Sequence, residues 1–442
     1  MAIRGTRGRR LRGIALGVAG SVAVVTSLAA CSGTSDKPSG DLSGTLTILT
    51  GSAPGSDAAF AAINEAFEKK YPDIKVDYQS VPNEAFMSSR SSRLTAGNLD
   101  VTLAAPRETP KYVGDASQSD DNLAADAGLF VDLSDYDFVK NYTPTVIDAL
   151  KYKGKTYTLP TGLSYYTGVY YNKQVFEANG LSVPTTWSEW ENVVSTLKGA
   201  GITPLGIGGK DSWPAGLGMI AAVQGLYPST ADKEKLAEDL WKGTAKLTGD
   251  TEVEVLERVK ALYDAADPNF AGVAYNAVPG LFASGDVAMT IDGTWNQTTI
   301  DAAVNGAFDY GYFPLPVSEK AEDNATLGGK VELRLVAASN APNKDAALAY
   351  LEFFSDPENY KTFIEICGFA PAQPNIPASD FLQGLEQYTA TFTPAWDTLW
   401  TVNVDAGQAA INPFNYPAIA PMGTLTPQEA AEAAQADWAA AG

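Results

Sequence analysis

The apolar residues between positions 45 and 103 follow the two periods that distinguish strands from helices. In order, the segments are a strand at 46–49, a helix with Phe60, Ile63, Phe67 and Tyr71, a strand with Ile74, Val76 and Tyr78, a helix with Met87 and Leu94, and a strand at 100–103. Strands that alternate with helices in this way are typical of βαβ units, which form a parallel sheet. Ligands bind beyond the carboxyl ends of such strands, so we expect binding residues after each of them.

The stretch from residue 153 to residue 190 predicts a passage between two lobes. Residues 153–155, Lys-Gly-Lys, have the composition of a turn between strands. Pro160 is expected to end the strand that follows, because proline has no N–H group for a ladder. Residues 161–164 are small and predicted to be flexible, and the β-prone residues from Val169 onward begin a new strand.

Later segments predict further helices and strands on both sides of this passage. They are a helix that Thr186 begins with Glu189 in a capping box, a strand at 205–207, a helix with Val255, Val259 and Leu262, a strand before Gly293, a strand within 327–337, a helix with Leu348, Leu351 and Phe354, and a last helix that Thr426 caps. Residues 371–377 contain three prolines and predict a second crossing. The patterns therefore predict an α/β protein with two lobes.

The N-terminal residues have the pattern of an export signal. Five arginines precede the apolar run 14–30, which contains no acidic residue, and this order is typical of a secretory signal peptide. The run is short and rich in glycine, which disfavours a permanent transmembrane helix. The pair Arg9-Arg10 leaves both the general and the twin-arginine export routes open.

The end of this run has a more specific pattern. Residues 28–31, Leu-Ala-Ala-Cys, resemble the lipobox of bacterial lipoproteins, which implies that Cys31 is lipidated and becomes the N-terminus. The alternative is an ordinary signal peptide that happens to contain a cysteine. We predict a lipoprotein signal peptide over residues 1–30 and a flexible tether over residues 31–44, because the tether is rich in Ser, Gly, Asp and Pro.

The charge of the chain bears on its partners. The formal net charge is −21, and removal of the five arginines in the signal would take it to −26. A body with this charge repels nucleic acid and anionic lipid headgroups. We therefore expect no nucleic-acid partner, and contact with the membrane only through the lipid.

The residue types that are absent exclude several kinds of catalysis. The chain has no histidine, so Ser-His-Asp and Cys-His catalysis and histidine-ligated metal sites are excluded. Cys367 is the one cysteine besides Cys31, and its apolar neighbours predict a buried small side chain rather than a reactive thiol. Glycoside hydrolysis by a pair of carboxylates remains open, because 52 acidic residues are available.

Four stretches of the chain together match a known pattern. They are Gly154-Lys-Thr-Tyr-Thr-Leu-Pro160 through Tyr171-Asn-Lys173 to Pro184-Thr-Thr-Trp187, then residues 282–295 ending in Asp-Gly-Thr-Trp, then Tyr312-Phe-Pro-Leu-Pro316 with Gly328-Gly329, and then Asn343-Lys-Asp-Ala-Ala-Leu348 to Phe354 and Pro357-Glu358. With the lipobox they span nearly the whole chain after residue 30. The sequence resembles the extracellular solute-binding proteins of ABC transporters, in particular the sugar-binding family that includes maltose-binding protein.

The resemblance implies an α/β fold of two lobes joined by a hinge, with the ligand in the cleft between the lobes. Residues 45–162 and 327–372 would form lobe one, and residues 163–326 and 373–442 would form lobe two. The implied protein is a monomer, anchored by its lipid at the extracytoplasmic face of the bacterial cell membrane. It would deliver a sugar or oligosaccharide to the permease subunits of an ABC importer, with no catalysis, cofactor or metal.

Aromatic candidates for the ligand site follow from the resemblance, because aromatic rings cover the C–H faces of sugars. Trp295 occupies a position where a ring commonly stacks on sugar, and the alternative is a core tryptophan at a strand end. Tyr165 corresponds to a ligand-contacting position that often carries a carboxylate in the family. Trp213, in the same loop as Asp211, matches another aromatic position of the cleft, and a structural role is equally open.

Charged candidates follow the predicted strands, because charged groups can hydrogen-bond the hydroxyls of a sugar. Arg107 and Glu108 follow the third strand, where the family often places polar ligand contacts, and Glu84 is the analogous residue after the second. For each of these three, a solvated charge at the rim is the alternative. Further candidates are Trp396, Trp400 and Arg334. The two tryptophans are alternatively residues of a helix core.

Two other functions remain open at this stage. The same fold could bind a non-sugar solute such as a peptide or a polyamine, and the acidic body leaves a cationic ligand possible. The chain could instead be a lipid-anchored glycosidase that uses two carboxylates. The aromatic candidates and the four stretches favour the sugar receptor.

Overall fold

Ten strands form two sheets in the part of the chain that the structure, a computed structural model, describes: residues 42–114 and 117–441. The strands are β1 (Gly44–Gly51), β2 (Ile74–Val81), β3 (Val101–Leu103), β4 (Leu159–Tyr165), β5 (Gly168–Asn172), β6 (Thr203–Gly206), β7 (Val287–Asp292), β8 (Tyr310–Pro314), β9 (Gly328–Ala337) and β10 (Thr393–Pro394). The predicted signal peptide, Cys31 and most of the predicted tether lie outside the described residues. The predicted α/β fold class is confirmed.

The first sheet contains the predicted βαβ series. Its order is β10-β9-β3-β1-β2, and β4 also pairs with β9. Strand β1 is parallel to both β2 and β3, as the alternating patterns predicted. Strand β9 is antiparallel to β3 and to β4. The loop after β3 therefore begins at the same edge of the sheet as the loops after β1 and β2.

The prediction that Pro160 ends a strand is wrong. Pro160 is the second residue of β4 and lies opposite Arg334 in the ladder with β9. On its other side, β4 forms its first bond only at Leu163, whose N–H donates to the Ala370 carbonyl at 2.7 Å. A proline near the start of a strand is tolerated because its missing N–H is not needed there. Residues 161–164, predicted to be flexible, are consequently part of a sheet.

The second sheet has the order β6-β7-β5-β8. Strand β7 is parallel to β6 and antiparallel to β5. All six residues of β7 are buried, so the strand delivers its last residue, Asp292, directly into the interior. The turn predicted at 153–155 is also confirmed, since Tyr152 and Lys155 exchange backbone hydrogen bonds of 2.9 and 3.0 Å.

The helices cover both sheets. They are α1 (Pro54–Lys70), α2 (Asn83–Ala96), α3 (Asp120–Asp126), α4 (Pro144–Ala149), α5 (Lys173–Ala178), α6 (Trp187–Gly199), α7 (Leu217–Leu226), α8 (Thr230–Trp241), α9 (Asp250–Ala265), α10 (Val278–Ser284), α11 (Gln297–Val304), α12 (Lys344–Ser355), α13 (Pro357–Cys367), α14 (Asp380–Gln383), α15 (Glu386–Thr389), α16 (Trp396–Leu399) and α17 (Pro427–Ala440). Thr186 caps α6 as predicted, but Glu189 accepts from the N–H of Thr185 at 2.7 Å, one residue earlier than a capping box requires. Thr426 and Glu429 form the complete capping box that was predicted for α17.

The two largest hydrophobic clusters of the described residues pack around the two sheets. The cluster of the first sheet includes Ile48 and Phe60, and the cluster of the second includes Val169 and Trp190. All four side chains are almost completely buried. Trp295 packs against both clusters. The two cores therefore meet at this residue, which directs attention to its surroundings as the candidate site.

Candidate functional site

Four aromatic side chains meet where the two cores approach each other. Trp295 lies in a short 3-10 turn just after β7, and its ring centroid is 5.2 Å from that of Tyr166, which directly follows β4. The ring centroid of Trp213 lies 6.3 Å from that of Trp295, and the ring centroid of Tyr275 lies 4.6 Å from that of Trp213. We call these four residues the aromatic group. The rings of Trp295 and Trp213 are only partly buried, so each keeps surface that a ligand could cover.

Hydrogen bonds hold the Trp295 ring in position. Its Nε1–H donates to the Tyr275 hydroxyl at 2.9 Å, and that hydroxyl donates to Asp292 Oδ1 at 3.1 Å. Asp292 also accepts from the side chain of Asn296 at 2.6 Å and from the N–H of Gly293 at 2.7 Å. Burial raises the pKa of Asp292 to about 7, against the opposing effect of these donors. The ring is therefore oriented by a buried carboxylate that acts through Tyr275.

A line of charged side chains on β9 lies beside the aromatic group. Lys330, Glu332 and Arg334 alternate along the strand, so they point to the same face of the sheet. Lys330 Nζ lies 4.7 Å from the ring centroid of Trp295 and 5.4 Å from that of Tyr166, a cation–π arrangement. Glu332 is 5% exposed and pairs with Lys330 at 3.2 Å. We call these three residues the charged strip.

Arg107 connects the loop after β3 to the segment that follows β10. Its guanidinium donates to the carbonyl of Thr398 and, at 2.5 Å, to that of Trp400. Burial lowers the pKa of Arg107, and the nearby carboxylate of Asp397 opposes that effect. Asp397 in turn accepts a hydrogen bond of 2.6 Å from the Tyr166 hydroxyl. Arg107 is therefore linked to the aromatic group through Asp397, which lies near Arg107 and accepts a hydrogen bond from Tyr166.

The structure places two further predicted residues in supporting positions. Asp211 accepts a hydrogen bond of 2.6 Å from the N–H of Tyr275, which fixes the backbone of a ring in the aromatic group. Tyr165 is 7% exposed, and its ring packs 6.2 Å from that of Phe392. The neighbouring Tyr166 is the tyrosine that contacts Trp295. Successive side chains of a strand point to opposite faces, so the two tyrosines separate where β4 ends.

Two other predicted residues, Glu108 and Trp396, are not joined to the aromatic group by these contacts. Glu108 is exposed, and its carboxylate accepts from the N–H of Lys153 at 2.5 Å, so it caps the turn at 153–155. Trp396 is 1% exposed, and its ring stacks on that of Trp400 at 5.5 Å within the second core. The backbone of Glu84 lies in α2, and its side chain lies outside the described part of the structure.

The sequence analysis missed Tyr166, Tyr275, Asp397, Lys330 and Glu332. One signal for the last two was available, because Lys-Val-Glu-Leu-Arg places a charged residue at every second position of a predicted strand. Tyr275 and Asp397 had no such signal, since each lies in a short helical turn that the fold brings to the site from a distant part of the chain.

Neither a metal-binding group nor a membrane-spanning helix is found in the described residues. Within residues 42–114 and 117–441, no group of three or more acidic or cysteine side chains is arranged to hold a metal ion. In the same residues, no helix has both the length and the apolar character needed to cross a bilayer.

Partly exposed rings and charged side chains therefore lie together where the cores of the two sheets meet. The sequence pattern of the bacterial extracellular solute-binding proteins matches residues 51–361. The chain belongs to this family of substrate-binding proteins, and the resemblance inferred from its four stretches is confirmed.

Similar proteins are found among curated sequences and among solved structures. An uncharacterised ABC transporter extracellular-binding protein of Pyrococcus horikoshii is 26% identical over 340 residues, 74% of this chain and 71% of that protein. The multiple sugar-binding protein of Streptococcus mutans is 23% identical over 315 residues, 71% of each chain.

Two solved structures share the fold of this chain. RafE in complex with raffinose has a TM-score of 0.72 at 24% identity and covers 89% of this chain and 98% of its own. A chitin oligosaccharide binding protein also has a TM-score of 0.72, at 22% identity, and covers 91% of this chain and 100% of its own.

Proposed function

We propose that this protein captures a sugar or oligosaccharide at the aromatic group and delivers it to the permease of an ABC importer, without catalysing a reaction. The observation that carries this proposal is the position of Trp295, which packs against both cores and keeps part of its ring uncovered. The names of relatives that bind multiple sugars, maltotriose or raffinose support a sugar as the ligand.

The chemistry of the site suits a sugar. The rings of Trp295 and Trp213 can cover the apolar C–H faces of a pyranose, and the charged strip can hydrogen-bond its hydroxyl rim. Asp292 and Asp211 would act indirectly, because both contact Tyr275. Tyr166, rather than Tyr165, packs against Trp295, and because Tyr166 is 1% exposed it would support that ring rather than face the ligand.

Calorimetry against a panel of monosaccharides and oligosaccharides, a peptide and a polyamine tests this function. We expect at least one saccharide to bind, and the peptide and the polyamine not to bind. Incubation of the same saccharides with the protein should leave them intact. Binding of the peptide or the polyamine alone would support the alternative solute, and cleaved products would support the glycosidase.

Movement of two lobes would couple ligand binding to transport. We propose lobe one at residues 45–162 and 327–372 and lobe two at residues 163–326 and 373–442, joined through β4 and through residues 371–377. A ligand that contacts both lobes would favour the closed form through its additional affinity for that form. X-ray scattering should then show a smaller radius of gyration when the sugar is bound. Binding without that change would indicate a rigid cleft.

We also propose that the protein is anchored by a lipid on Cys31 and is a monomer. Cys31 lies outside the described residues, and the proposal rests on the lipobox and the tether after it. The Cys31→Ser protein should leave the membrane fraction or remain as an uncleaved precursor. If it is processed and still bound to membranes, the lipoprotein assignment fails. Light scattering of detergent-purified protein gives the oligomeric state.

A further inference from the structure

Arg334, the last residue of the charged strip, is partly buried and forms no ion pair within residues 42–114 and 117–441. Its Nε is buried and has no hydrogen-bond partner among residues 42–114 and 117–441. Burial, together with the like charge of Arg107, lowers the pKa of Arg334 to about 10. A partly buried cation with an unpaired Nε and no ion pair can accept an anionic partner that reaches it.

The two carboxylates whose charges act on Arg334 are already engaged with other groups. Asp121 forms an ion pair with Arg90 and accepts from the N–H of Ala105 at 2.6 Å. Glu332 pairs with Lys330 at 3.2 Å. Neither Asp121 nor Glu332 forms an ion pair with Arg334. This part of the site consequently carries excess positive charge, although the whole chain has a formal charge of −21.

The backbone beside Arg334 is strained. Leu333 has a φ angle of 22°, at the border of the left-handed region that residues with side chains rarely adopt. This residue lies between Glu332 and Arg334, so the strain occurs within the charged strip itself. Strained backbone of this kind clusters at binding sites, where the surrounding structure holds it for function.

Arg334 and the aromatic group are spaced for a ligand longer than one ring. The charged strip begins at Lys330, whose ammonium lies over the ring of Trp295 at 4.7 Å. Three residues of β9 lie between Lys330 and Arg334, so Arg334 lies further along the strand from Trp295. A molecule that stacks on Trp295 and extends along β9 would bring a second or later sugar unit to Arg334.

We propose that the ligand is an acidic oligosaccharide, in which a uronic-acid carboxylate pairs with Arg334 while a sugar ring stacks on Trp295. The planar guanidinium presents N–H groups in the geometry of a carboxylate. The proposal rests on the sugar-binding function proposed above and specifies the class of sugar.

Matched saccharides test this assignment. Each pair would contain a neutral oligosaccharide and the corresponding uronate, which differ only in CH2OH against COO−, for example galactose and galacturonate oligomers. Calorimetry on the purified protein should show at least tenfold tighter binding of one uronate than of its neutral partner. Raising the salt concentration should reduce the preference. Arg334→Gln should abolish the preference, whereas Arg93→Gln, which removes the same charge from α2 where it contacts Gln79, should retain it.

The possible outcomes separate this inference from the function on which it rests. Equal or tighter binding of the neutral partner would overturn the acidic ligand and keep the sugar receptor. Failure of every saccharide to bind would overturn both. The melting temperature of ligand-free Arg334→Gln should stay about the same, because Arg334 is partly buried and forms no ion pair within the described residues. A fall of many degrees would show that the protein itself supplies the partner of Arg334, and the inference would be lost.

Discussion

Trp295 and Trp396 were both candidates for the ligand site, and the structure holds them in different ways. Trp396 is 1% exposed and is fixed by packing, with the ring of Trp400 at 5.5 Å and that of Phe414 at 5.9 Å. Trp295 is partly exposed, and its Nε1–H is tied to the Tyr275 hydroxyl at 2.9 Å.

This difference shows how a ring can remain available to a ligand and still be ordered. A core ring is surrounded by apolar atoms, and dispersion with its neighbours fixes its orientation. A ring with an open face has fewer such contacts, so the Tyr275 and Asp292 hydrogen bonds take over part of that role. Substitutions in the two regions should therefore separate stability from affinity.

The largest effect is expected for Trp396→Ala, which opens a cavity in the second core. We expect a loss of about 3–5 kcal/mol in the free energy of unfolding, measured by urea denaturation. The molecules that remain folded should bind sugar with unchanged affinity. Trp396→Phe should cause a smaller loss in the free energy of unfolding. A loss of affinity with normal stability would return Trp396 to the ligand site.

The next effect concerns the buried carboxylate. The pKa of Asp292 is raised by burial from 3.8 to about 7 in the folded protein, so the folded state holds a proton there that the unfolded state releases. The stability from this group is fully present below about pH 4 and is lost as the pH rises to about 7, a change of about 4 kcal/mol at most.

Asp292→Asn removes this titration, so its unfolding free energy should decline less than that of the parent between pH 4 and pH 7. Asp286→Asn, on the exposed turn before β7, is the matched control and should follow the parent. Parallel curves for all three proteins would show that Asp292 does not titrate in this range.

Trp295→Ala should affect binding more than folding. Loss of a stacked ring and its buried area should weaken sugar binding by about 1.5–3 kcal/mol, which is roughly tenfold or more in Kd. Calorimetry measures the affinity, and a thermal melt serves as the control. Unchanged affinity would remove Trp295 from the site, and a collapsed melt would assign it to the core.

A smaller effect is expected from Tyr275→Phe, which keeps the ring and removes the hydroxyl between Trp295 and Asp292. Loss of this link should reduce affinity by about 1 kcal/mol. Tyr227→Phe removes a hydroxyl that bonds Glu252 at 2.8 Å, and it should leave the affinity unchanged. Equal affinities of the two variants would mean that the hydrogen bonds do not position Trp295.

Local patterns in the sequence predicted the βαβ series and the N-caps of α6 and α17, and the family resemblance made Trp295 a candidate. They misplaced features that depend on neighbours in space. Pro160 lies in a strand because the adjacent edge is unpaired there. Glu108 caps a turn 45 residues away. Tyr165 and Tyr166 cannot be distinguished until the strand and its faces are known, because a shift of one residue reverses them.

The contact made by Arg107 bears on how long a captured molecule is retained. Its guanidinium joins the loop after β3 to the Thr398 and Trp400 carbonyls, and Trp400 belongs to the second core. If the proposed lobes separate to release a ligand, the hydrogen bonds of Arg107 to these two carbonyls must break, whatever the ligand is. Arg107 would then set residence time more than equilibrium selectivity, so stopped-flow measurements on Arg107→Gln should show faster release of all ligands by a similar factor. Unequal factors would show that Arg107 discriminates between ligands directly.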